Sequence, residues 1–141
     1  MLELCLANNP DFVISRLDID RPGPHYAVDT VKLLAEDQPD AIVVYIMGGD
    51  SLKNLPTWHK PKDFVEVCHE LGVMRRPRDM IDLDSLEKVL PGIKNKVRFM
   101  DAPLLGISSE QIRMRVAAKR PFRYYVTSLV FQYIEDHQLY R

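Results

Sequence analysis

Two glycines and an acidic residue form the first stretch that could bind a ligand, Gly48-Gly49-Asp50-Ser51. Glycines let a ligand approach the backbone closely, and the Asp50 carboxylate could accept hydrogen bonds from ribose hydroxyls. The alternative is a tight turn in which Asp50 or Ser51 is the N-cap of the next helix. These four residues alone therefore leave a nucleotide contact and a simple turn both open.

The second stretch, residues 55–61, contains the only tryptophan, Trp58. Prolines on both sides stiffen this segment, and an indole held in place offers a flat face for stacking on an aromatic ring. Trp58 could instead be a core or lid residue. His59 is a candidate hydrogen-bonding group, or an exposed neutral histidine without a role.

The third stretch, Ser108-Ser109, opens a predicted helix and has Arg113 one turn further on. A helix N-terminus offers free N–H groups and the positive end of the macrodipole, both of which favour phosphate. An arginine beside it adds a charged fork. Two further arginines, Arg75 and Arg76, stand at the end of an earlier predicted strand, over residues 70–75. The alternative is a capped helix with a solvated arginine.

The elements that must position these residues alternate between strands and helices. Patterning predicts strands over 12–14, 41–47, 70–75 and 96–100, and helices over 2–6, 25–36, 61–67, 81–90, 108–118 and along 126–134. The run 41–47 is apolar throughout, which predicts a strand covered on both faces. An α/β domain with a mainly parallel sheet follows, and its ligands bind at the carboxyl ends of the strands.

Composition excludes several other classes. The 141 residues suit one domain, and a net charge of −1 gives no attraction to nucleic acid or anionic membranes. No apolar run approaches the ~20 residues that span a bilayer, and no secretory signal begins the chain, so a cytoplasmic location is expected. Neither GxxxxGK[ST] nor GxGxxG occurs. Cys5 and Cys68 are too few for a disulfide framework or a four-cysteine metal site and are expected to be buried free thiols.

The order of motifs resembles that of bacterial nicotinate-nucleotide adenylyltransferases. GPHYAVDT, IMGGDSLKNLPTWHK, MRRP, ISSEQIRMRV and YIEDHQLYR carry this resemblance over essentially the whole chain. It implies a doubly wound, Rossmann-like nucleotidyltransferase fold. It also implies adenylyl transfer from ATP to nicotinate mononucleotide, which yields deamido-NAD and pyrophosphate, with Mg²⁺ assisting through the ATP phosphates.

The resemblance also implies roles for individual residues. Trp58 would stack on the nicotinate ring, and Ser108 and Arg113 would act on the transferred phosphate. No residue of the chain is implied as a metal ligand. The full implied sets are Tyr26, Thr30, Trp58 and Arg76 for nicotinate mononucleotide, and Gly48, Asp50, Ser108, Ser109 and Arg113 for ATP.

Three departures from the family pattern shape the expectations. The family's opening GGTFDPxHxGH segment has no counterpart here, so residues 1–141 are expected to form a single domain matching the C-terminal two-thirds of the fold, without activity and prone to self-association. Ala27 stands where the family usually has threonine, and Glu110 replaces a common threonine near the phosphates. A non-catalytic nucleotide-binding or structural remnant remains an alternative. So does an adenylyltransferase for another acceptor, such as phosphopantetheine or nicotinamide mononucleotide.

Overall fold

The computed structural model describes residues 1–75, 80–101, 103 and 105–141. Its contacts divide the chain into two compact units, one formed by residues 1–15 and 105–141 and the other by residues 16–104. The helices are α1 Leu2–Leu6, α2 Ala27–Asp37, α3 Gly49–Asn54, α4 Pro61–Val67, α5 Leu83–Val89, α6 Ile93–Lys96, α7 Ser109–Ala117 and α8 Ser128–Asp136, and the strands are β1 Val44–Gly48, β2 Glu70–Met74 and β3 Val97–Met100.

Within residues 16–104 the strands form a parallel sheet in the order β1-β2-β3. Val44 pairs with Glu70, and Leu71 pairs with Val97, so each strand lies beside the next one in the chain. Parallel neighbours need a crossover connection, which α3 and α4 supply before β2 and α5 and α6 supply before β3. The predicted α/β class with a parallel sheet is confirmed.

One face of this sheet carries the core of the unit. Leu71 and Val73 of β2 are fully buried there, together with Phe64 of α4 and Val28 and Val31 of α2. The hydrophobic stripe predicted for α2 therefore faces this core, where α2 packs against α4, and removing its apolar area from water contributes roughly 25 cal/mol per Å². Because α4 packs on this face, the Trp58 segment that precedes it is held beside the sheet.

The prediction that strand 41–47 is covered on both faces is wrong. Ile42, Val44 and Ile46 are 75%, 45% and 57% exposed, whereas Met47 is buried and Tyr45 is half-buried. The strand also begins at Val44, three residues later than predicted. A continuous apolar run does not distinguish a strand covered on both faces from one whose second apolar face is open, because β-branched residues favour either strand.

The predicted strand over 12–14 is also wrong, since these residues lie outside the sheet and Phe12 and Val13 are 60% and 90% exposed. A strand needs a partner for its ladder, and none is paired with this segment in the described chain. The other predicted elements are confirmed, with ends that shift by at most two residues. In the described ranges no helix has the length and apolarity to cross a membrane.

Residues 1–15 and 105–141 have a small core of their own. Val116, Phe122, Val130 and Ile134 are buried, and Leu4 of α1 packs against them. The helical spacing predicted along 126–134 thus points its apolar face inward. Cys5 is exposed and Cys68 is buried, so the expectation of two buried thiols holds for Cys68 alone.

Candidate functional site

A cavity of about 280 Å³ opens in the unit formed by residues 16–104. Its lining residues are His25, Tyr26, Ala27, Trp58 and His59. Two of the residues predicted to hold the pyridine nucleotide, Tyr26 and Trp58, are therefore brought to one cavity. They come from the segment before α2 and the segment before α4, and these two helices pack against each other.

Trp58 is fixed by the backbone around it and by two aromatic neighbours. The 3-10 turn Leu55–Thr57 ends at Trp58, whose N–H donates to the Leu55 carbonyl at 3.0 Å. The centroid of the indole lies 5.3 Å from the centroid of the Phe64 ring and 6.2 Å from that of the Tyr45 ring, which it meets edge-on. The side chain is half-buried and also lines the cavity, so its position is compatible with the core interpretation and with the stacking interpretation.

The cavity lining also contains a stacked aromatic pair that the sequence did not indicate. The ring centroids of Tyr26 and His59 lie 3.9 Å apart, and the angle between the two ring planes is 18°. The sequence leaves His59 as either a hydrogen-bonding group or an exposed histidine without a role, and it does not single out His25. The available signal was position, because His25 precedes Tyr26 and His59 follows Trp58.

Thr30, the third residue implied for nicotinate mononucleotide, lies one turn into α2 and is not among the residues that line the cavity. Its hydroxyl oxygen lies 2.5 Å from Oδ1 of Asp18, to which it donates, and it accepts from Nη2 of Arg21 at 3.3 Å. The Thr30 hydroxyl therefore bonds to Asp18 and Arg21 within this unit. Arg76, the fourth implied residue, lies outside the described residues.

Gly48 and Asp50 lie where β1 ends and α3 begins. The alternative interpretation, in which Asp50 or Ser51 is the N-cap of α3, is wrong because Gly48 occupies that position. The Asp50 carboxylate folds back over Gly48 and accepts the Ser51 N–H at 3.1 Å. A Cβ on residue 48 would lie 2.6 Å from that carboxylate oxygen, so a larger residue here would displace the Asp50 side chain from this position.

Ser108, Ser109 and Arg113 belong to the other unit, at the start of α7. The Ser108 hydroxyl accepts the Gln111 N–H at 3.1 Å, and the Gln111 side chain accepts the Ser108 N–H at 3.4 Å. This capping box does not use the N–H groups of Ser109 and Glu110, which have no backbone acceptor among the described residues. All three predicted residues are exposed, so a phosphate could reach them.

Arg75, the arginine beside Arg76, lies at the end of β2 with its guanidinium 4.2 Å from the centroid of the Phe99 ring. This cation–π contact orients the side chain across the carboxyl end of the sheet. In the part of the chain that the structure describes, no three His, Cys, Asp or Glu side chains group as metal ligands.

Comparison with known proteins adds the family. No family model matches the chain. A protein of Thermomicrobium roseum named "Probable nicotinate-nucleotide adenylyltransferase" is 44% identical over 141 residues, which cover all of this chain and 65% of the relative. A protein of Roseiflexus castenholzii with the same name is 41% identical over 141 residues and 70% of its length.

A solved structure has the same fold. The structure of Plasmodium falciparum nicotinic acid mononucleotide adenylyltransferase complexed with APC superposes with a TM-score of 0.73 at 19% identity, over 99% of this chain and 72% of that one. The chain thus spans about two-thirds of the length of the proteins it matches, 65% for the Thermomicrobium relative. At 41–44% identity across its whole length, this chain belongs to the nicotinate-nucleotide adenylyltransferase family.

Proposed function

We propose that the chain carries the sites at which the adenylyl group of ATP is transferred to nicotinate mononucleotide, in the synthesis of NAD. The observation that carries this proposal is the cavity lined by Trp58 and by the stacked rings of Tyr26 and His59. Flat aromatic faces bind a flat ring by offset or edge contacts, each worth about 0.5–1.5 kcal/mol beyond area burial. A pyridine ring is the acceptor group that suits such walls.

The charge of the cavity favours nicotinate over other acceptors. Among the described residues, its lining contains two histidines, His25 and His59, and no acidic side chain. An anionic carboxylate on the ring would therefore meet hydrogen-bonding imidazoles and no like charge. Phosphopantetheine brings no aromatic ring, so the walls formed by Trp58 and Tyr26 would have nothing to stack on.

The start of α7 is proposed to hold the ATP phosphates. In the transfer, a phosphate oxygen of nicotinate mononucleotide bonds to the α-phosphorus of ATP, and the bond from that phosphorus to the bridging oxygen breaks, so pyrophosphate leaves. Positioning and charge stabilisation drive such reactions. The N–H groups of Ser109 and Glu110, the Ser108 and Ser109 hydroxyls and the Arg113 guanidinium are the donors offered.

Mg²⁺ enters the proposal with the ATP phosphates. Mg²⁺ commonly keeps several waters and binds through substrate phosphate oxygens rather than through an all-protein site. When bound, the ion would neutralise phosphate charge. Gly48 and Asp50 remain proposed contacts of the ATP nucleoside, because glycine adds no side chain of its own at this turn and the exposed Asp50 carboxylate can accept hydrogen bonds from ribose hydroxyls.

The test uses Trp58 as the reporter, because it is the only tryptophan. Nicotinate mononucleotide should quench its fluorescence, and ATP alone should have little effect. By calorimetry, Trp58→Ala should weaken nicotinate mononucleotide binding by ~1–3 kcal/mol, and Trp58→Phe by less. Tyr124→Ala, which removes a ring that is 91% exposed, is the matched control and should change neither affinity.

Two outcomes would contradict the proposal. If Trp58→Ala weakens nicotinate mononucleotide and ATP equally while the melting temperature falls steeply, the indole is a core residue only. If phosphopantetheine or nicotinamide mononucleotide binds more tightly than nicotinate mononucleotide in the same fluorescence titration, nicotinate mononucleotide is not the acceptor substrate. That residues 1–141 alone release no pyrophosphate also stays a prediction. Steady release, lost in Arg113→Ala, would refute it.

A cytoplasmic location and self-association remain proposals. The open face of β1 supports the second, since Val44 and Ile46 are 45% and 57% exposed and Met74 and Met100 share that face. Apolar area of this kind favours association in water. Sedimentation showing a single monomeric species at all concentrations would contradict self-association.

A further inference from the structure

Asp18 is the centre of a hydrogen-bond cluster beside the cavity. Its Oδ1 accepts from the Thr30 hydroxyl at 2.5 Å and from Nη2 and Nε of Arg21 at 2.8 and 3.2 Å. We call Asp18, Arg21 and Thr30 the Asp18 clamp. It joins a residue of the loop before α2 to a residue one turn inside α2, so it closes that loop onto the helix.

Arg21 extends the clamp to the residues that line the cavity. Its Nη1 donates to the Pro24 carbonyl at 3.2 Å, and its Nη2 lies 3.5 Å from the Tyr26 carbonyl. The Arg21 side chain is only 18% exposed, so its own position is fixed although the groups that it bonds lie at the surface. The backbone on both sides of His25 is thereby held by one guanidinium.

The start of α2 needs this support, because Tyr26 is its N-cap residue and provides no side-chain cap. The Tyr26 carbonyl accepts the N–H groups of Asp29 and Thr30 at 3.0 and 3.2 Å. Thr30 therefore bonds to the Tyr26 carbonyl by its backbone and to Asp18 by its hydroxyl. Bonds from Thr30, and then from Arg21, lower the pKa of Asp18, so its carboxylate is charged at neutral pH.

We propose that Asp18 is a positioning residue of the pyridine pocket: through Arg21 and Thr30 it holds Tyr26 against His59, and it touches no substrate itself. The effect of Asp18 on the affinity for nicotinate mononucleotide rests on the function proposed above, whereas its effect on the position of Tyr26 does not. A wall that is already ordered spares the ligand the entropy of ordering it, which raises affinity without a new contact.

Asp18→Asn tests the clamp, because it removes the charge and keeps the shape. Its control is Asp20→Asn, since Asp20 is a carboxylate two residues away that pairs with Arg16 at 2.7 Å. One readout is the nuclear Overhauser contact between the Tyr26 and His59 rings. The other is the affinity for nicotinate mononucleotide, read from Trp58 fluorescence. Bonds to charged groups are worth about 1.5 kcal/mol or more, so Asp18→Asn should lose this affinity roughly tenfold.

Thr30→Val and Thr30→Ser serve as a second pair, for use if Asp18→Asn fails to fold. Valine keeps the volume of threonine and removes its hydroxyl, whereas serine keeps the hydroxyl. We expect Thr30→Val to weaken the Tyr26–His59 contact and nicotinate mononucleotide binding, and Thr30→Ser to restore both. ATP affinity should change less than about twofold in all of these variants, because a purely structural loss would lower both affinities together.

The outcomes separate the two proposals. Loss of the ring contact in Asp18→Asn, with Asp20→Asn unchanged, supports the clamp. The clamp is overturned if the ring contact and the affinity survive in Asp18→Asn, or if Asp20→Asn has the same effect. It is also overturned if ATP affinity falls equally. If the unsubstituted protein shows the ring contact but binds no nicotinate mononucleotide, the proposed function fails, and the ring contact alone still decides the clamp.

Discussion

The ammonium of Lys96 lies 2.7 Å from the carbonyl oxygen of Cys68, where α4 has ended and β2 is about to begin. It also donates to the carbonyls of Val65 and Glu66 at 2.6 and 2.8 Å. All three ammonium protons thus go to the open carbonyls at the end of α4, where the macrodipole is negative. One side chain from the end of α6 therefore closes the helix that begins just after Trp58 and His59.

Lys96→Met should lower the free energy of unfolding by about 1–3 kcal/mol, because it removes a charged donor and leaves three carbonyls without it. Chemical denaturation measures the change. Lys94→Met is the matched control, since Lys94 is more exposed and pairs with Asp84 at the surface, where ion pairs contribute little. Equal losses in the two variants would contradict the capping role of Lys96.

Ser108 and Ser109 have different structural roles, and this separates stability from phosphate binding. Ser108→Ala breaks the capping box and should cost ~0.5–2 kcal/mol of stability, whereas Ser109→Ala removes no cap. Both should weaken ATP binding if both hydroxyls contact phosphate. Thermal unfolding and ATP calorimetry measure the two effects. Unchanged ATP affinity in Ser109→Ala would refute its phosphate role.

Glu110 places a carboxylate in the first turn of α7. Its negative charge interacts favourably with the positive end of the helix dipole and would repel a phosphate bound there. Glu110→Gln should therefore lower stability by roughly 0.3–1 kcal/mol while strengthening ATP binding. The gain in ATP affinity should shrink at high salt, because the charges are exposed. ATP titrations at low and high ionic strength measure it. Weaker ATP binding in Glu110→Gln would show that the phosphates lie elsewhere.

Burial raises the pKa of the Cys68 thiol to about 11. In the unfolded chain this thiol ionises near its ordinary value of roughly 8.5, while in the folded chain it stays neutral. Its contribution to stability is thus complete below that ordinary pKa and is lost as pH rises through the window up to about 11. At about 1.4 kcal/mol per pKa unit, the loss approaches ~3 kcal/mol.

Urea unfolding at pH 7.5 and pH 10.5 would measure this loss. Cys68→Ala should show a smaller fall between the two pH values than the unsubstituted protein, because the ionising thiol is gone. Cys5→Ala should retain the full fall, since Cys5 is exposed and its removal leaves Cys68 in place. A fall that is the same in both variants would assign the pH dependence to other groups.

Local patterns in the sequence were sufficient for most elements and for part of the site. The apolar stripe of α2, the serine that caps α7 and the proline that opens α4 are all decided within one or two turns of chain. The prolines on both sides of Trp58 indicated a confined indole, and its stacking on a ligand ring stays a prediction. Neighbouring residues also determined the family resemblance, since its motifs are short runs such as LPTW and ISSEQIR.

Tertiary structure alone decided which residues meet across the sheet and the helices. Tyr26 and His59 are 33 positions apart, Asp18 and Thr30 are 12 apart, and Lys96 and Cys68 are 28 apart. No periodicity links such pairs, because each contact depends on how α2, α4 and the strands pack. The same reason explains the two strand errors: whether a segment finds a partner, or a strand face finds a cover, is decided by the rest of the fold and not by its own residues.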